Sequence, residues 1–232
     1  MRIVRNERHI RVRSFIGKNA ALVGLAALAV GLILSLVKPD QLLIMTVCMM
    51  VGIIFSVIGG IFADRYVGPL AHHDALSNLL KGLDSQYVLV QYVLPVPHVL
   101  LEPGGLTALV VRSHGGQVTF QEDGRWKHRQ PGKMFRQMVG QPGVGVPDFE
   151  AKHQEEKLKS WLADHLPGVE IPVRAVIVFV NPAVQLDAAD SSVPAFYGKK
   201  IKAWLRGPGK QALLSSSVYR QLASALGVDA DS

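Results

Sequence analysis

The residues that could do chemistry lie where short apolar runs end. The run LTALVVR ends at Arg112, one residue before a His-Gly-Gly turn, and Val110 lies two residues earlier. Side chains two apart in a strand project from the same face, so these two are expected to point the same way. A metal-dependent hydrolase would need carboxylates for Mg²⁺ and a lysine near the attacking water at such a position. Valine cannot bind a hard cation, and arginine stays protonated at neutral pH.

Other polar motifs predict no cofactor and no metal site. His72, His73 and Asp74 are adjacent, whereas a helix chelates a metal through residues three or four apart, so we expect them in a hydrated turn. The stretch GQPGVGV (140–146) has no strand before it, and RGPGKQ (206–211) lacks the glycine spacing and the Ser/Thr of a phosphate loop. Helix capping explains the serines at 215–217.

Hydropathy predicts a membrane protein. Apolar residues make up 49% of the 232 residues. Two charge-free stretches, 20–37 and 42–63, are each long enough to cross a hydrocarbon core of about 30 Å. The KPDQ between them contains Pro39, which disfavours a continuous helix. A cleaved signal peptide is the alternative for the first stretch, but no A-x-A site follows it and a second span does.

We therefore predict four segments: a basic cytoplasmic arm (1–19), a two-helix transmembrane hairpin (20–64), a juxtamembrane helix (65–84) and a cytoplasmic domain (85–232). Basic flanks favour the cytoplasmic side, which places both termini in the cytoplasm at an inner (plasma) membrane of bacterial type. The arm is expected on anionic headgroups, at about 1 kcal/mol per basic residue. Its charged residues are Arg2, Arg5, Glu7, Arg8, Arg11, Arg13 and Lys18.

Small residues at every fourth position predict the face along which the two membrane helices pack, because they let backbones approach closely. The common occurrence of glycine in membrane helices is the alternative explanation. The single cysteine, Cys48, lies inside the second stretch and is expected to be a packing residue. The predicted packing residues are Ala27, Gly31, Ser35, Gly52, Ser56 and Gly60.

Periodicity in the remaining chain predicts an α/β (α+β) domain whose mixed, largely antiparallel sheet is flanked by helices. A short helix is expected within 69–83, a loop over 122–147, a helix from Asp148 that this residue caps, and two closing helices over 198–206 and 215–227. The continuous apolar run 173–180 indicates a strand covered on both faces. Four further runs predict a meander: 87–94, 98–102, 106–112 and 117–121.

The order of these motifs resembles the nuclease-related domain family, whose fold is that of the PD-(D/E)XK nucleases. The resemblance covers residues 70–206 and lies in the run ALSNLLKGLDSQYVLVQYVLPVPHVLLEPGGLTALVVRSHGGQV, then Trp126, the helix after it and VRAVIVFVN. In the family pattern, an aspartate starts the second strand, and a glutamate and a lysine two apart follow on the third. The resemblance assigns these positions to His98, Val110 and Arg112. It therefore implies a degenerate site.

Glu102 is the fallback candidate for a metal ligand, since it ends a strand beside Pro-Gly-Gly. Moving it into that role still leaves no acid-x-lysine pair on the third strand. Glu150 or Gln154 matches a polar residue that the family places on the following helix, and the sequence does not choose between them. The chain is thus predicted to lack enzymatic activity.

Most of the positive charge excess lies in the arm, and two local basic clusters remain outside it. A local basic cluster lies in 125–136 and a second in 199–210, each interpreted first as a solvated face. We predict an accessory component of a membrane-associated assembly, with membrane proteins and lipid as partners. The alternatives are a nucleic-acid-binding protein or a tethered metal-dependent nuclease. The basic candidates for nucleic-acid or partner binding are Arg125, Lys127, Arg129, Lys133 and Arg136.

Overall fold

The structure is a computed structural model that describes residues 1–132, 142–207 and 209–228. The chain divides into two units. The first contains Met1–Glu7, His72–Arg129 and the described residues from Val144 onward. The second contains Arg8–Ala71 and the described ends of the segment Gln130–Gly143.

The described residues form helices and strands in a mixed order, and the predicted α/β class is confirmed. The helices are α1 (Glu7–Val37), α2 (Leu42–Tyr66), α3 (His72–Leu80), α4 (Pro147–His165), α5 (Lys200–Arg206) and α6 (Ser216–Ala225). The strands are β1 (Arg2–Arg5), β2 (Val88–Gln91), β3 (His98–Glu102), β4 (Gly105–Arg112), β5 (Gly116–Phe120), β6 (Trp126–Arg129), β7 (Val173–Phe179), β8 (Val184–Asp187) and β9 (Ala195–Tyr197).

Helices α1 and α2 form the second unit, and both are long and apolar enough to cross a membrane. The predicted hairpin is therefore present, but α1 begins well before residue 20. The chain from Glu7 through Lys18 continues the helix, since nothing in it interrupts helical hydrogen bonding. The expectation of a separate arm over residues 1–19 needs correction: Arg2–Arg5 form strand β1 of the first unit.

The two membrane helices pack through glycines spaced seven apart. Gly17, Gly24 and Gly31 are buried on α1, and Gly52 and Gly59 on α2. Added Cβ atoms at Gly24 and Gly59 would lie 2.6 Å from Ser56 N and 2.5 Å from Ala21 N. Residues spaced seven apart stay on one face of a helix and keep contact with its neighbour. Residues spaced strictly four apart shift gradually around the helix.

This pattern corrects part of the predicted packing set. Gly31, Gly52 and Ser56 lie in the contact, and a Cβ at Gly31 would approach the Cβ of Cys48 to 3.3 Å. Gly59, rather than Gly60, is the fully buried glycine near the end of α2. Ser35 is half-buried and donates its hydroxyl hydrogen bond to Leu32 O of its own helix, at 2.7 Å.

The first unit is built on a six-stranded sheet in the order β1-β2-β3-β4-β7-β9. The antiparallel meander holds for β2, β3 and β4, whereas β1, β7 and β9 join in parallel. The share of parallel pairing is larger than expected because the helical connections before β2 and β7 return the chain in the same direction. β5 leaves the predicted meander and forms a second sheet, β6-β5-β8, with β6 inside the stretch expected to be a loop.

Two apolar cores lie on opposite faces of the main sheet. Alternate residues of β4, Ala108 and Val110, join one core with α4, α6 and the small sheet. The residues between them, Leu109 and Val111, join the other core with α3 and α5. The continuous apolar run of β7 is explained in the same way, since both of its faces are covered as predicted.

Helix α3 holds the edge of the sheet rather than forming a hydrated turn. His72 and His73 are 8% and 7% exposed. Arg5 of β1 donates hydrogen bonds to Ser77 Oγ at 2.6 Å and Asp74 Oδ1 at 3.1 Å. Burial lowers the pKa of His73, an effect that the Asp74 carboxylate opposes and Arg5 reinforces. The polar residues at 72–74 therefore help to dock β1.

The glycine contact predicts a large difference between two leucine substitutions in the membrane helices. Gly59→Leu should destabilise the hairpin by about 1–3 kcal/mol, because the new side chain overlaps the Ala21 backbone. Ala29→Leu, on an exposed face of α1, is the matched control and should change stability little. Unfolding of the purified chain in mixed SDS micelles measures both. Equal losses in the two variants would contradict the packing.

Candidate functional site

The position expected to hold a metal is part of the hydrophobic core. Val110 is 1% exposed and belongs to the apolar cluster that includes Leu158 of α4 and Phe179 of β7. It is therefore enclosed by apolar side chains. A carboxylate at this depth would need a charged partner or a metal, because isolated charges are costly to bury.

Arg112 is engaged by internal acceptors. Its Nη2 lies 2.5 Å from Glu150 Oε2, Nε donates to Val144 O at 3.1 Å, and Nη1 donates to Val111 O at 3.1 Å. Gln154 donates to the other Glu150 oxygen at 3.1 Å. Glu150 and Gln154, which the sequence left as alternatives, are thus both present in one network. The bond to Glu150 holds α4 against the end of β4, the bond to Val144 fixes the segment that leads into α4, and the bond to Val111 stays within β4.

His98 does not share a face with Val110 and Arg112, so the three positions assigned from the resemblance do not converge. Along β3, the side chain of Val99 points into the core that contains Val110, and that of Leu100 points into the opposite core. Because side chains alternate along a strand, His98 lies on the same face as Leu100. Its ring lies 4.8 Å from Tyr92 and 6.3 Å from His72. A shift by one residue places Pro97 or Val99 at that point, and neither carries a metal ligand.

The fallback candidate, Glu102, belongs to a separate buried network on the other face. Its carboxylate is 3% exposed and accepts from Arg174 Nη2 at 3.0 and 2.9 Å. Thr107 donates a hydrogen bond to Glu102, and Arg174 Nε donates to Thr107 at 2.9 Å. The Arg174 guanidinium also lies 4.3 Å from the centre of the Trp204 ring. Both carboxylate oxygens thus accept from an internal partner.

Electrostatics and access both favour a structural role for Glu102. Burial raises its pKa, while hydrogen bonding to Thr107 and the charge of Arg174 oppose the rise. The adjoining cavity, lined in part by Tyr87, Glu102 and Lys210, has a volume of about 20 Å³. Such a space holds about one water molecule and excludes a phosphodiester substrate.

No group of three or more metal-binding His, Cys, Asp or Glu side chains occurs among residues 1–132, 142–207 and 209–228.

Asp148 was expected to cap α4, but Val146 occupies the N-cap position without a side-chain cap. Asp148 instead accepts a hydrogen bond from the indole of Trp126 in the small sheet. Ser215 does cap its helix, accepting from Val218 N at 3.3 Å.

The first basic cluster is only partly described. Arg125, Lys127 and Arg129 are exposed, and the last two lie on the solvent face of β6. Lys133 and Arg136 lie outside the described residues. On the same small sheet, Gln117 of β5 and Gln185 of β8 line an open cleft of about 320 Å³ that Lys200 also reaches. One member of the second basic cluster therefore lies beside the sheet that carries the first.

The sequence did not identify the partners that close these networks. Thr107 and Arg174 lie 67 residues apart and meet only because β4 and β7 pair in parallel, with Thr107 opposite Arg174. Trp126 is one of the residues that carry the family resemblance. Its hydrogen bond to Asp148 forms because Trp126 lies on β6 of the small sheet, which the sequence did not predict. The available signal was an arginine near the start of an otherwise apolar strand, which implies a buried partner.

Comparison with family models, curated proteins and solved structures finds no match to this chain. The resemblance to the nuclease-related domain family therefore stays a prediction.

The Glu102 network predicts a stability loss that depends on pH. Arg174→Met leaves a buried carboxylate without its cation, which should cost about 3–5 kcal/mol at pH 8. Burial already raises the Glu102 pKa, and loss of Arg174 raises it further. A raised acid pKa destabilises the fold as pH rises through it, and the effect disappears below the unfolded-state pKa.

Thermal unfolding of the full chain in detergent, followed by circular dichroism at pH 5 and pH 8, measures this effect. The destabilisation of Arg174→Met should be larger at pH 8. The double variant Arg174→Met, Glu102→Gln is the control and should lose the additional pH dependence. An equal loss at both pH values in the single variant would show that Glu102 does not carry the effect.

Proposed function

We propose that this chain is a membrane-anchored, non-catalytic nuclease-like domain protein that acts as a binding or accessory component of a membrane-associated assembly. The observation that carries the proposal is the filling of the expected metal position by Val110, which is 1% exposed. The neighbouring Arg112 is held by Glu150 and two backbone carbonyls. Neither side chain is available to bind a divalent ion or to activate water.

The order of elements supports the nuclease-like part of the proposal. Helix α3 is followed by the meander β2, β3 and β4, then by α4 and the parallel strand β7. This is the order on which the resemblance rests. His98 begins the second strand of that set and Arg112 lies on the third, although their side chains project from opposite faces of the sheet.

The two apolar helices support the anchoring part. The basic residues Arg8, Arg11, Arg13 and Lys18 all lie in the first part of α1, before its apolar stretch. At the opposite end of the hairpin, Lys38 is balanced by Asp40. This asymmetry favours a hairpin whose two termini are cytoplasmic, at an inner membrane.

Nucleic-acid binding is the second candidate, and the small sheet favours it. The exposed cations Lys127 and Arg129 pair in register with Thr119 and Gln117 of β5. Lys200 reaches the cleft that Gln117 and Gln185 line, so cationic and amide groups lie on one solvent-facing surface, together with the carboxylate of Asp187. Such a surface suits phosphate contacts combined with hydrogen bonds to bases.

The non-catalytic proposal predicts no cleavage of single- or double-stranded nucleic acid by the purified full chain with Mg²⁺ or Mn²⁺. It also predicts that the chain, isolated from native membranes, brings down membrane proteins in stoichiometric amounts. An unrelated two-span protein with the same affinity tag is the control for the second measurement. Metal-dependent cleavage by the full chain that is absent from the control protein would contradict the proposal.

The second candidate predicts salt-sensitive retention of labelled single-stranded DNA or RNA. Reversing Arg125, Lys127 and Arg129 to Glu should weaken binding and flatten the salt dependence, by about 0.7 in log–log slope for each phosphate that is no longer neutralised. Reversing Lys152, Lys157 and Lys159, which are exposed on α4, gives the same charge change elsewhere. Equal effects of the two reversals would exclude the small sheet as the binding surface.

A further inference from the structure

A buried histidine lies at the contacts that dock strand β1. The side chain of His73, on α3, is enclosed, and its Nε2 atom lies 3.3 Å from Asp74 Oδ2. Its Nδ1 atom has no hydrogen-bond partner in the part of the chain that the structure describes. The backbone carbonyl of the same residue accepts from Arg5 Nη2 of β1 at 3.3 Å and from Gln91 Nε2 of β2 at 3.0 Å. His73 therefore contacts both strands at this edge of the sheet.

The surroundings of the ring fit its neutral form. A neutral imidazole donates from one nitrogen and keeps a bare acceptor at the other, which matches a proton on Nε2 facing Asp74 and none on Nδ1. Protonation adds an N–H at Nδ1, where no described group accepts it, and a buried donor without an acceptor is unfavourable. His73 is also the second residue of α3, and the N-terminal end of a helix disfavours positive charge.

Charged side chains from three elements act on this ring. Burial lowers the pKa of His73 and is the largest cause of its shift. Asp74 on α3 favours the charged ring, Arg5 on β1 disfavours it, and Glu7 at the start of α1 favours it more weakly. The pKa stays lowered in spite of the two carboxylates, so the docked state favours the neutral ring.

A lowered histidine pKa makes the docking of β1 weaker in acid. Between the folded-state pKa and the unfolded value of about 6.5, the undocked chain binds more protons than the docked chain. The stabilisation is therefore complete above about pH 6.5 and is lost as pH falls through this window. Strand β1 is the element expected to respond, because it has four residues, lies at the edge of the six-stranded sheet and pairs with β2 alone among the described strands.

We propose that β1 and α3 form an acid-sensitive clasp, in which protonation of His73 releases Arg5 and detaches β1 from β2. A protonated ring competes with Arg5 for the Asp74 carboxylate, which Arg5 binds at 3.1 Å in the docked state. Detachment frees the segment that leads into α1 and uncovers the backbone edge of Val88–Gln91. The inference goes beyond the proposed function and does not depend on it, because it concerns only the contacts of the β1 edge.

Hydrogen exchange of the full chain in detergent, followed by mass spectrometry at pH 7.5 and pH 5.5 and corrected for intrinsic exchange rates, tests the clasp. Arg2 N and Asn6 N donate to Tyr87 O and Gln91 O across the contact between β1 and β2, so a peptide over residues 2–6 reports opening. Its protection should fall by up to about tenfold for each pH unit within the window below 6.5, because opening takes up one proton. Peptides of β4 and β7 should keep their protection.

Three substitutions identify the group that responds to acid. His73→Gln removes the titrating ring and should give residues 2–6 the same protection at both pH values. His165→Gln, at an exposed histidine of α4, is the matched control and should behave as the unaltered chain. His98→Gln alters the other buried pair of rings, His72 and His98, whose centres lie 6.3 Å apart, and it should keep the acid opening. Protection that is independent of pH in the unaltered chain, or acid opening that persists in His73→Gln or disappears in His98→Gln, would overturn the proposal.

Titration of the His73 ring by NMR in the unaltered chain tests the same point without relying on the folding of a variant. The midpoint should lie below about pH 6.5 and coincide with the midpoint of opening. A midpoint above that value, or opening at a pH where this ring does not titrate, would equally refute the clasp.

Discussion

The parallel pairing of β4 with β7 is the constraint on which the rest of the first unit depends. It extends over seven residue pairs, from Leu106 with Val173 to Arg112 with Phe179. Because side chains alternate along a strand, this register decides which residues enter each of the two cores. It places Val110 among apolar side chains under α4 and brings Thr107 beside Arg174 on the opposite face. A change of one residue in register would turn each side chain of the shifted strand to the opposite face of the sheet. Charged side chains would then point into one core, and the other core would lose apolar side chains.

The same register separates the two polar networks of the sheet. Arg112 and Glu150 join β4 to α4 at one end, and Glu102, Thr107 and Arg174 join three strands near the other. The Glu102 carboxylate is buried and needs Arg174 as its cation, whereas Glu150 is half-buried and pairs with the more deeply buried Arg112. Groups that could have served catalysis are thereby committed to structure. The cations of β6 and the large apolar side chains at the start of α4 remain exposed on the surface.

The sequence predicted those parts of the fold that local patterns determine. Hydropathy identified both membrane helices, the run at 173–180 predicted a doubly covered strand, and Ser215 capped its helix as expected. Strand β1 was missed because RIVR is short and its partner β2 lies more than 80 residues away. The small sheet was missed because β5 and β8 meet only through long-range parallel pairing. Side-chain alternation paired Val110 with Arg112, but only the strand register shows that His98 lies on the opposite face.

The central claim is that the region around Val110 and Arg112 does not bind a divalent metal ion. Titration of the purified full chain with Mn²⁺, followed by electron paramagnetic resonance of the free ion, tests it most directly. The account predicts no saturable site, and the same free-ion signal for the chain and for its Glu150→Gln variant. One Mn²⁺ bound per chain, abolished by Glu150→Gln, would contradict it.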